Sequence, residues 1–517
     1  MERKLAVSMF GQKRLSREGG IEIVAKELCT RMVQNGCTVT CYNRSGHHVS
    51  GAEYDNKTEY EGICQKYVPT IEKKGLAAVS SSFFAAFYSA FGKYDVVHIH
   101  AEGPAFFAWL PKLFVNKFIF PKGGAETYTF DVGKMLEEHG HEVQYFGLEN
   151  EKNTVGNRIG SYVTNMDFSQ GIKANLNAPF RIIYSREARK KIRAVLDDFQ
   201  PDVVHLNNIQ YHLTPSIILE TNKWRKETKK ECKIVYTTHD YQLVCPSHGM
   251  FDVNMKPCER CLDGHYIHCL QTKCLKNSRA KSLLGTLDGY MWKYSKAYSY
   301  VDAYICCSFF LKSKLDTQKR FRDKTIGLHN FKKEMPHLDN IQKKGYVLEF
   351  GHLSRDKGTD TLLEVAKKMP NTEFVFIGYG PSVDKMKDIP NVKYLGFKTG
   401  EELYRIIAEA AISVCPSEWY ENCPYSVMES VLLGTPVVGS KMGGIPELIE
   451  PGKTGELFEA GNVEELMKAI KKVIQTQDVL ERYTKNCSQV KYETTESYYI
   501  KLMKIYRGEK NVEQISS

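Results

Sequence analysis

The feature that most constrains the fold of this 517-residue chain is a repeat: its N-terminal segment recurs, in similar form, about a hundred residues later. The stretch REGGIEIVAKELCTRMVQNGCTVTCYN returns as PKGGAETYTFDVGKMLEEHGHEVQYFG. The matching residues stand 104 positions apart and are Gly19 and Gly123, Gly20 and Gly124, Glu22 and Glu126, Gly36 and Gly140, and Val39 and Val143. The tetrapeptide DVVH at 95–98 likewise returns at 202–205. This repetition predicts two copies of one structural unit.

Each copy has the same order of local signals. An apolar strand leads into a Gly-Gly turn, then into a helix with apolar residues three and four positions apart, then into a short β-branched strand. This order predicts a parallel sheet with right-handed crossovers. A Gly-Gly pair before a helix lets the backbone approach a ligand phosphate, although a plain tight turn needs the same residues.

The two copies are unequal in length. The first stops near Pro111, and residues 112–118 look like the opening strand of the second. We therefore predict that residues 1–112 are a partial half-domain placed ahead of a complete protein. Residues 113–517 are then expected to fold without it.

Composition limits the class of protein. Apolar residues make up 42% and charged residues 26% of the chain, which is typical of a globular protein, and the length favours two or three domains. The net charge of +10 suits anionic substrates or an anionic lipid surface. No basic run is interleaved with aromatic residues, so nucleic acid is not an expected partner.

Location is indicated by segments near the N-terminus and by the cysteines. No secretory signal is evident. Residues 75–92, GLAAVSSSFFAAFYSAFG, are long enough to span a membrane, but three consecutive serines and small residues favour a buried or membrane-touching helix. Fifteen cysteines without a signal indicate a reducing compartment. The chain is therefore predicted to be cytoplasmic.

The second half of the chain again alternates strands and helices. Expected strands are YVLEFGHLS, FVFIGYGP, VKYLGF and AISVCPS, and DTLLEVAKKM reads as an amphipathic helix. The run EWYENCPYSVMES then leads into the strand TPVVGS and the loop MGGIPELI. The helix that opens at Pro424 presents unpaired N–H groups that suit sugar or diphosphate oxygens. A carboxylate such as Glu429 can accept hydrogen bonds from two vicinal hydroxyls.

This run resembles the E-x7-E signature of glycosyltransferase family 4. Glu421 and Glu429 stand eight residues apart and flank the helix opening. Matching context is found at Gly123-Gly124, Thr238–Asp240, Gly378–Pro381, Gly396-Phe397 and Gly443–Leu448. The resemblance covers residues 113–505, about four-fifths of the chain.

The resemblance implies a GT-B fold, an α/β architecture with two Rossmann-like domains facing across a cleft. Here a partial Rossmann-like unit at residues 1–112 precedes them. The acceptor-binding domain is expected at 113–328, with a cysteine-rich insert at 245–274. The nucleotide-sugar-binding domain is expected at 329–490, a helix crossing back to the first domain at 491–508, and a disordered tail at 509–517.

The resemblance also implies roles for individual residues. Glu421 would face the transferred sugar, and His239, at a strand end, would reach it from the opposite domain. Lys357 would hold the donor pyrophosphate. At position 352 the family usually has an arginine, and His352 cannot form its bidentate fork, so Arg355 is a candidate substitute. The expected donor-binding set is Lys357, His352, Gly380, Pro424, Tyr425, Ser426, Val427 and Glu429, with Gly123 and Gly124 as a diphosphate or acceptor loop.

Five cysteines fall close together in the insert and indicate a structural metal site. They are Cys245, Cys258, Cys261, Cys269 and Cys274. Cys258 and Cys261 have the chelating C-x2-C spacing, and Cys269 and Cys274 complete a tetrahedral set for zinc. Cys245, His248, His265 and His268 are alternative ligands. Free thiols and an iron–sulfur cluster are the competing interpretations, and the resemblance implies no catalytic cofactor.

The resulting functional prediction is a retaining glycosyltransferase. It would move a sugar from a uridine- or guanosine-linked nucleotide sugar to a lipid-linked glycan during surface polysaccharide synthesis, at the inner membrane face. The basic stretch Lys273, Lys276, Arg279 and Lys281 would touch acceptor or membrane, unless it is simply a solvated face. A sugar-nucleotide epimerase or phosphorylase is a rival activity. A catalytically degenerate GT-B partner protein is the rival from another class.

Overall fold

The computed structural model describes residues 5–10, 20–45, 58–71, 76–99, 111–165, 178–333 and 335–509. The chain divides into two compact units, Met1–Leu110 with Leu136–Glu142, and Pro111–Met135 with Val143–Ser517. The main division lies two residues before the expected boundary at 112. Gly19 of the repeat and residues 510–517 of the expected tail lie outside the described residues.

The first unit contains a five-stranded sheet with the order β3-β4-β2-β1-β5. Its strands are parallel except for the short antiparallel pair β3–β4. Alternating apolar residues of β1 and β2 pack against α1, where Ala25 and Cys29 are buried. The elements are β1 Ala6–Phe10, α1 Gly20–Gln34, β2 Thr38–Arg44, β3 Glu59–Tyr60, β4 Ile63–Val68, α2 Leu76–Phe91 and β5 Val96–Ile99.

The repeat in the sequence is a repeat in the structure. Helix α1 and its counterpart α3, Gly124–Glu138, each have 15 residues and start at the repeated glycine. Val7 pairs with Val39 on one side and Val96 on the other, and Lys112 pairs with Val143 and Val203 in the same way. The three-strand core thus has the same register in both copies. In the second copy the strand Val203–Leu206 (β8) has a further neighbour, Lys233–Thr238 (β9), whereas β5 is the last strand of its sheet among the described residues.

Within the uncharged stretch at 75–92, helix α2 spans Leu76–Phe91. Its four serines, Ser80, Ser81, Ser82 and Ser89, are buried, and Ala85 is buried with them. Phe83, Phe87 and Phe91, four residues apart, are exposed along one side of the helix. Of the helices formed by the described residues, none combines the length and the apolar character needed to cross a bilayer.

The first sheet of the second unit has the order β11-β10-β9-β8-β6-β7, and all its strands are parallel. Its helices cover the sheet with amphipathic faces. Helix α5, for example, is capped by the Ser185 side chain, which accepts from Ala188 N, and it buries apolar residues at helical spacing down to Phe199. The strands are β6 Lys112–Val115, β7 Val143–Phe146, β8 Val203–Leu206, β9 Lys233–Thr238, β10 Ala303–Cys306 and β11 Thr325–Gly327. The helices after α3 are α4 Ala178–Ile183, α5 Arg186–Phe199, α6 Ser216–Thr228, α7 Ile267–Thr272, α8 Arg279–Tyr294, α9 Phe309–Leu315 and α10 Lys319–Arg322.

The second sheet of this unit has the order β14-β13-β12-β15-β16-β17 and is also fully parallel. The strands are β12 Val347–His352, β13 Phe374–Tyr379, β14 Val392–Tyr394, β15 Ile412–Cys415, β16 Val437–Ser440 and β17 Gly455–Phe458. The helices are α11 Thr359–Lys368, α12 Gly400–Glu409, α13 Tyr425–Leu432, α14 Val463–Ile474, α15 Gln477–Cys487 and α16 Thr495–Arg507. In parallel α/β sheets ligands bind at the carboxyl ends of the strands. The candidate residues of both sheets are therefore expected at those ends.

The last helix, α16, starts at Thr495 rather than at 491 and contacts the first sheet of its unit. The Tyr498 hydroxyl lies 2.7 Å from that of Tyr128, on α3. The Tyr506 hydroxyl lies 2.6 Å from Nδ1 of His205, on β8. These buried hydrogen bonds hold α16 against the first sheet of its unit.

Candidate functional site

The site is built first around Lys357 and Glu421. Lys357 follows β12 and Glu421 follows β15. Because these strands are parallel neighbours, both residues lie at the carboxyl end of the sheet. Lys357 Nζ lies 2.5 Å from Glu421 Oε1, and both side chains are largely buried. Burial by itself lowers the pKa of Lys357, but the Glu421 carboxylate outweighs it, and the pKa rises above its ordinary value of 10.5. The lysine is therefore a fixed cation.

Two glycines allow the loops around this pair to approach closely. Gly358 has φ of 79°, and a Cβ there would lie 1.9 Å from Pro416 O. Gly443 has φ of 60°, and its Cβ would lie 1.9 Å from Glu421 O. The next residue, Gly444, donates its N–H to Glu421 O at 2.7 Å. The Gly-Gly loop after β16 thus holds the backbone of Glu421 in place.

The second carboxylate, Glu429, is also paired with a lysine. Lys332 Nζ lies 2.6 Å from Glu429 Oε1, and the two side chains are only 15% and 13% exposed. Burial lowers the pKa of Lys332, but Glu429 outweighs this effect and the net shift is upward. Lys332 also lies over the Tyr425 ring at 5.3 Å. The sequence analysis did not single out Lys332, which follows β11 and reaches Glu429 only through the tertiary fold.

Helix α13 begins beside these pairs. Pro424 is its N-cap residue and provides no side-chain hydrogen bond, so the first turn keeps donors for a ligand. Tyr425 Cδ2 lies 4.0 Å from the position that a Cβ on Gly124 would take, which brings the predicted Gly-Gly loop to this helix end. Val427 is buried in the core, so only its backbone is available to a ligand.

His239 lies at the carboxyl end of β9, as its position in the sequence predicts. Its Nε2 is 2.9 Å from Asn207 Oδ1, so this nitrogen carries the proton and donates. Asn422 Nδ2 donates to His239 O at 2.7 Å, joining β9 to the loop that carries Glu421. Burial lowers the pKa of His239 to about 3, and the ring is neutral near pH 7.

Three other predicted residues lie at the edges of this group. His352 ends β12, is exposed, and packs its ring edge-on against Tyr379. Gly380 allows a close approach, since a Cβ there would lie 2.1 Å from Leu353 O. Arg355 lines a cavity of about 320 Å³ with Asp360 and other residues and is not paired with Glu421.

Several buried polar atoms around the site have no hydrogen-bond partner. Within the part of the chain that the structure describes, they include Trp419 Nε1, Asn422 Oδ1 and the Tyr425 hydroxyl. An unpaired buried polar atom costs about 1–3 kcal/mol, which a polar ligand would recover.

One further contact joins the two sheets of the unit. Glu447, in the loop after β16, accepts the backbone N–H groups of Phe309 and Phe310 at 2.8 and 2.6 Å. Its carboxylate also lies 2.6 Å from His329 Nε2. The Gly-Gly-Ile-Pro-Glu motif contains Glu447, but the sequence carries no sign of its partners.

The cysteines of the insert are neighbours in the structure. Cys261 and Cys269 are buried in one cluster with Cys274, and the Cys245 thiol lies 3.2 Å from Ser247 Oγ. Contact with Cys274 and burial together raise the pKa of Cys269. In the described ranges no three His, Cys, Asp or Glu side chains are arranged to hold a metal ion. The zinc site therefore stays a prediction.

Family models decide the identity. The model for Glycosyltransferase Family 4 matches residues 18–119 and again 122–330, which together exceed half of the chain. The model for Glycosyl transferases group 1 matches residues 330–490. The chain belongs to glycosyltransferase family 4. The Glycosyltransferase Family 4 model matches this glycosyltransferase once on each copy of the repeat. Its match at 122–330 falls on the expected acceptor-binding domain.

Known proteins similar to this glycosyltransferase agree with that assignment. An uncharacterised 42.6 kDa protein in the cps region of Klebsiella pneumoniae is 24% identical over 65% of this chain and 86% of its own length. An amylovoran biosynthesis glycosyltransferase of Erwinia amylovora is 30% identical over 29% of this chain and 41% of its own length. A crystal structure of Anabaena HepE in complex with UDP and glucose has a TM-score of 0.53 at 15% identity, covering 77% of this chain and 99% of that one. The structural likeness shows the GT-B fold.

Proposed function

We propose that this glycosyltransferase moves a sugar, with retention of its anomeric configuration, from a nucleoside-diphosphate sugar to a lipid-linked glycan in surface polysaccharide synthesis. One observation carries the proposal. Two buried carboxylates eight residues apart are each held by a lysine, one in the loop before the uncapped start of α13 and the other within that helix. This arrangement offers cations and helix N–H groups to a diphosphate and carboxylates to hydroxyl groups.

Each group has a role in this proposal. Glu429 accepts the ribose hydroxyls, and Glu421 accepts hydroxyls of the transferred sugar. Lys357 and the first turn of α13 stabilise negative charge on the leaving nucleoside diphosphate. The bond between the anomeric carbon and the diphosphate oxygen breaks, and the acceptor oxygen bonds to the same face. The acceptor proton passes to the leaving diphosphate oxygen.

His239 has a positioning role near the transferred sugar. Its ring is neutral and buried, so it supplies hydrogen bonds rather than charge. The proton on Nε2 is directed to Asn207, which leaves Nδ1 as an acceptor. In this proposal Nδ1 accepts a hydrogen bond from a sugar hydroxyl.

Similarities to known proteins support the donor and the pathway. HepE binds UDP and glucose in its crystal structure, which favours a nucleotide-sugar donor here. The relatives named for a cps region and for amylovoran biosynthesis favour a polysaccharide product. The lipid-linked acceptor and the position at the inner membrane face are carried by the family resemblance.

The test is release of nucleoside diphosphate from a panel of uridine- and guanosine-linked sugars, with and without a lipid extract. We expect release with one donor, and loss of at least about a hundredfold in Glu429→Ala. Glu481→Ala, a change on the surface helix α15, is the matched control and should keep wild-type activity. The anomeric proton coupling of the product, measured by NMR, reports retention or inversion. An enzyme that neither binds nor turns over any donor would instead support the degenerate-partner interpretation.

A further inference from the structure

One face of helix α8 is apolar and uncovered. Leu283, Leu287, Met291 and Tyr294 follow one another at spacings of four, four and three residues and are 44%, 51%, 36% and 72% exposed. This spacing places all four side chains on one side of the helix. An apolar row of this kind on a soluble surface marks an interaction site.

The same surface is strongly basic. Between Lys273 and Lys296 the sequence holds six lysines and arginines and a single acid, Asp288. Asp288 is turned inward, where its carboxylate accepts a hydrogen bond from Trp292 Nε1 at 2.9 Å. The exposed charges around the apolar row are therefore all positive in this segment.

A large cationic cavity adjoins the row at Met291. Its volume is about 1210 Å³. The charged residues that line it are Arg181, Arg186, Glu187, Arg189, Lys190, Arg193 and Glu220. The two glutamates pair with Arg181, Arg189 and Arg193. Arg193 also pairs with Asp197 and Glu227. Among the described residues, Arg186 and Lys190 are the lining cations without an ion pair, and two such cations suit a surface that presents several phosphates at once.

The cysteine-rich insert supports this helix from the side opposite the row. Leu275, next to Cys274, packs so closely on α8 that a Cβ on Gly285 would lie 2.4 Å from its Cδ1. Tyr266 packs in the same way on Gly289, at 2.8 Å. The insert thus has a structural purpose, because it holds α8 with its apolar side facing outward.

We propose that the α8 row and the adjoining cationic cavity form a docking surface for an anionic lipid bilayer. The leucines, Met291 and Tyr294 would enter the interface between headgroups and acyl chains, and the cations of the cavity would bind lipid phosphates. Charge decides between this occupant and a second copy of the chain, since two such basic surfaces would repel each other. The inference deepens the proposed function, because a lipid-linked acceptor is met at a membrane.

The test is co-sedimentation of the full-length protein with vesicles. One set contains 30% phosphatidylglycerol in phosphatidylcholine, and the other contains phosphatidylcholine alone. We expect binding to the anionic vesicles that weakens with salt. Leu283→Glu with Leu287→Glu should reduce the partition coefficient at least about tenfold. Arg186→Gln with Lys190→Gln should reduce it about fivefold for each cation removed.

Controls separate this inference from its rivals. Ile500→Glu, at an equally exposed apolar residue on α16, should bind vesicles as the wild type does. Nucleoside diphosphate release is measured in parallel and should be unchanged without lipid in all variants, so failure of the donor chemistry is distinguishable from failure of docking. Equal binding to both vesicle types, or unchanged binding of the leucine variant, would overturn the proposal. A mass of two chains by light scattering that falls to one in the leucine variant would replace the bilayer with a second copy.

Discussion

The buried pair of Lys332 and Glu429 gives the sharpest prediction. Replacing Lys332 with methionine keeps the length and apolar stem of the side chain but removes the ammonium 2.6 Å from Glu429 Oε1. A carboxylate left without its partner in a buried site destabilises a protein by about 3–5 kcal/mol. Because a small part of each side chain reaches solvent, at 15% and 13% exposure, we expect about 3 kcal/mol.

A double-mutant cycle isolates this interaction. Lys332→Met, Glu429→Gln and the double variant are compared by urea unfolding, followed by tryptophan fluorescence. The double variant should be more stable than Lys332→Met, with a coupling free energy of about 2–3 kcal/mol. Lys367→Met, which removes a pair on the surface where both side chains are about half exposed, should cost about 0.5 kcal/mol or less.

The sign of the pH dependence follows from the raised pKa of Lys332. The pair's contribution is fully present below the ordinary lysine value of 10.5 and is lost only as the pH rises through the higher folded value. The coupling should therefore be constant between about pH 6 and 9. Additivity of the two single changes to within about 0.5 kcal/mol would refute the reasoning.

Three further predictions concern other parts of the second unit. Gly443→Ala places a Cβ 1.9 Å from Glu421 O at φ of 60°, so it should destabilise the protein by about 2 kcal/mol or more and weaken donor binding in calorimetry. Gly452→Ala, where φ is 79° but no atom lies within 4 Å, should cost only about 1 kcal/mol. The purified protein should contain about one zinc ion per chain by mass spectrometry. That zinc should be lost in Cys258→Ser with Cys261→Ser and kept in Cys487→Ser. A wild-type protein without zinc would instead support the interpretation that these cysteines are free thiols. Burial lowers the pKa of His205 from 6.5 to about 3. As the pH falls below 6.5 the imidazole therefore takes up a proton in the unfolded state but not in the folded state, and this residue should lower the free energy of unfolding by about 2 kcal/mol at pH 5. His205→Gln should reduce the loss of stability between pH 6.5 and 5 by about 2 kcal/mol and leave the equal share that buried His239 contributes. His337→Gln, at an exposed position, should leave the whole loss unchanged, and an unchanged loss in His205→Gln would contradict the assignment.

Local patterns in the chain were enough to place much of this protein. The repeated glycine-led helices begin at Gly20 and Gly124 in the structure, because a Gly-Gly turn before an amphipathic run needs only local geometry. Glu421 lies before the start of α13 and Glu429 lies within that helix. His239 lies at a strand end because the apolar run before it can only be a buried strand. These features depend on neighbours along the chain.

The partners of the site residues were decided by tertiary structure alone. Lys332 stands 97 residues from Glu429, and Asn207 stands 32 from His239, so no local period links them. Lys357 meets Glu421 because both follow strands of one parallel sheet, and the order of those strands is not written in either segment. The exposure of the apolar row on α8 could not be predicted from the sequence either. Apolar residues at helical spacing usually face the core, and only the fold shows that this row is exposed. A sequence specifies which groups can ionise, turn or pack, and long-range packing decides which of them meet.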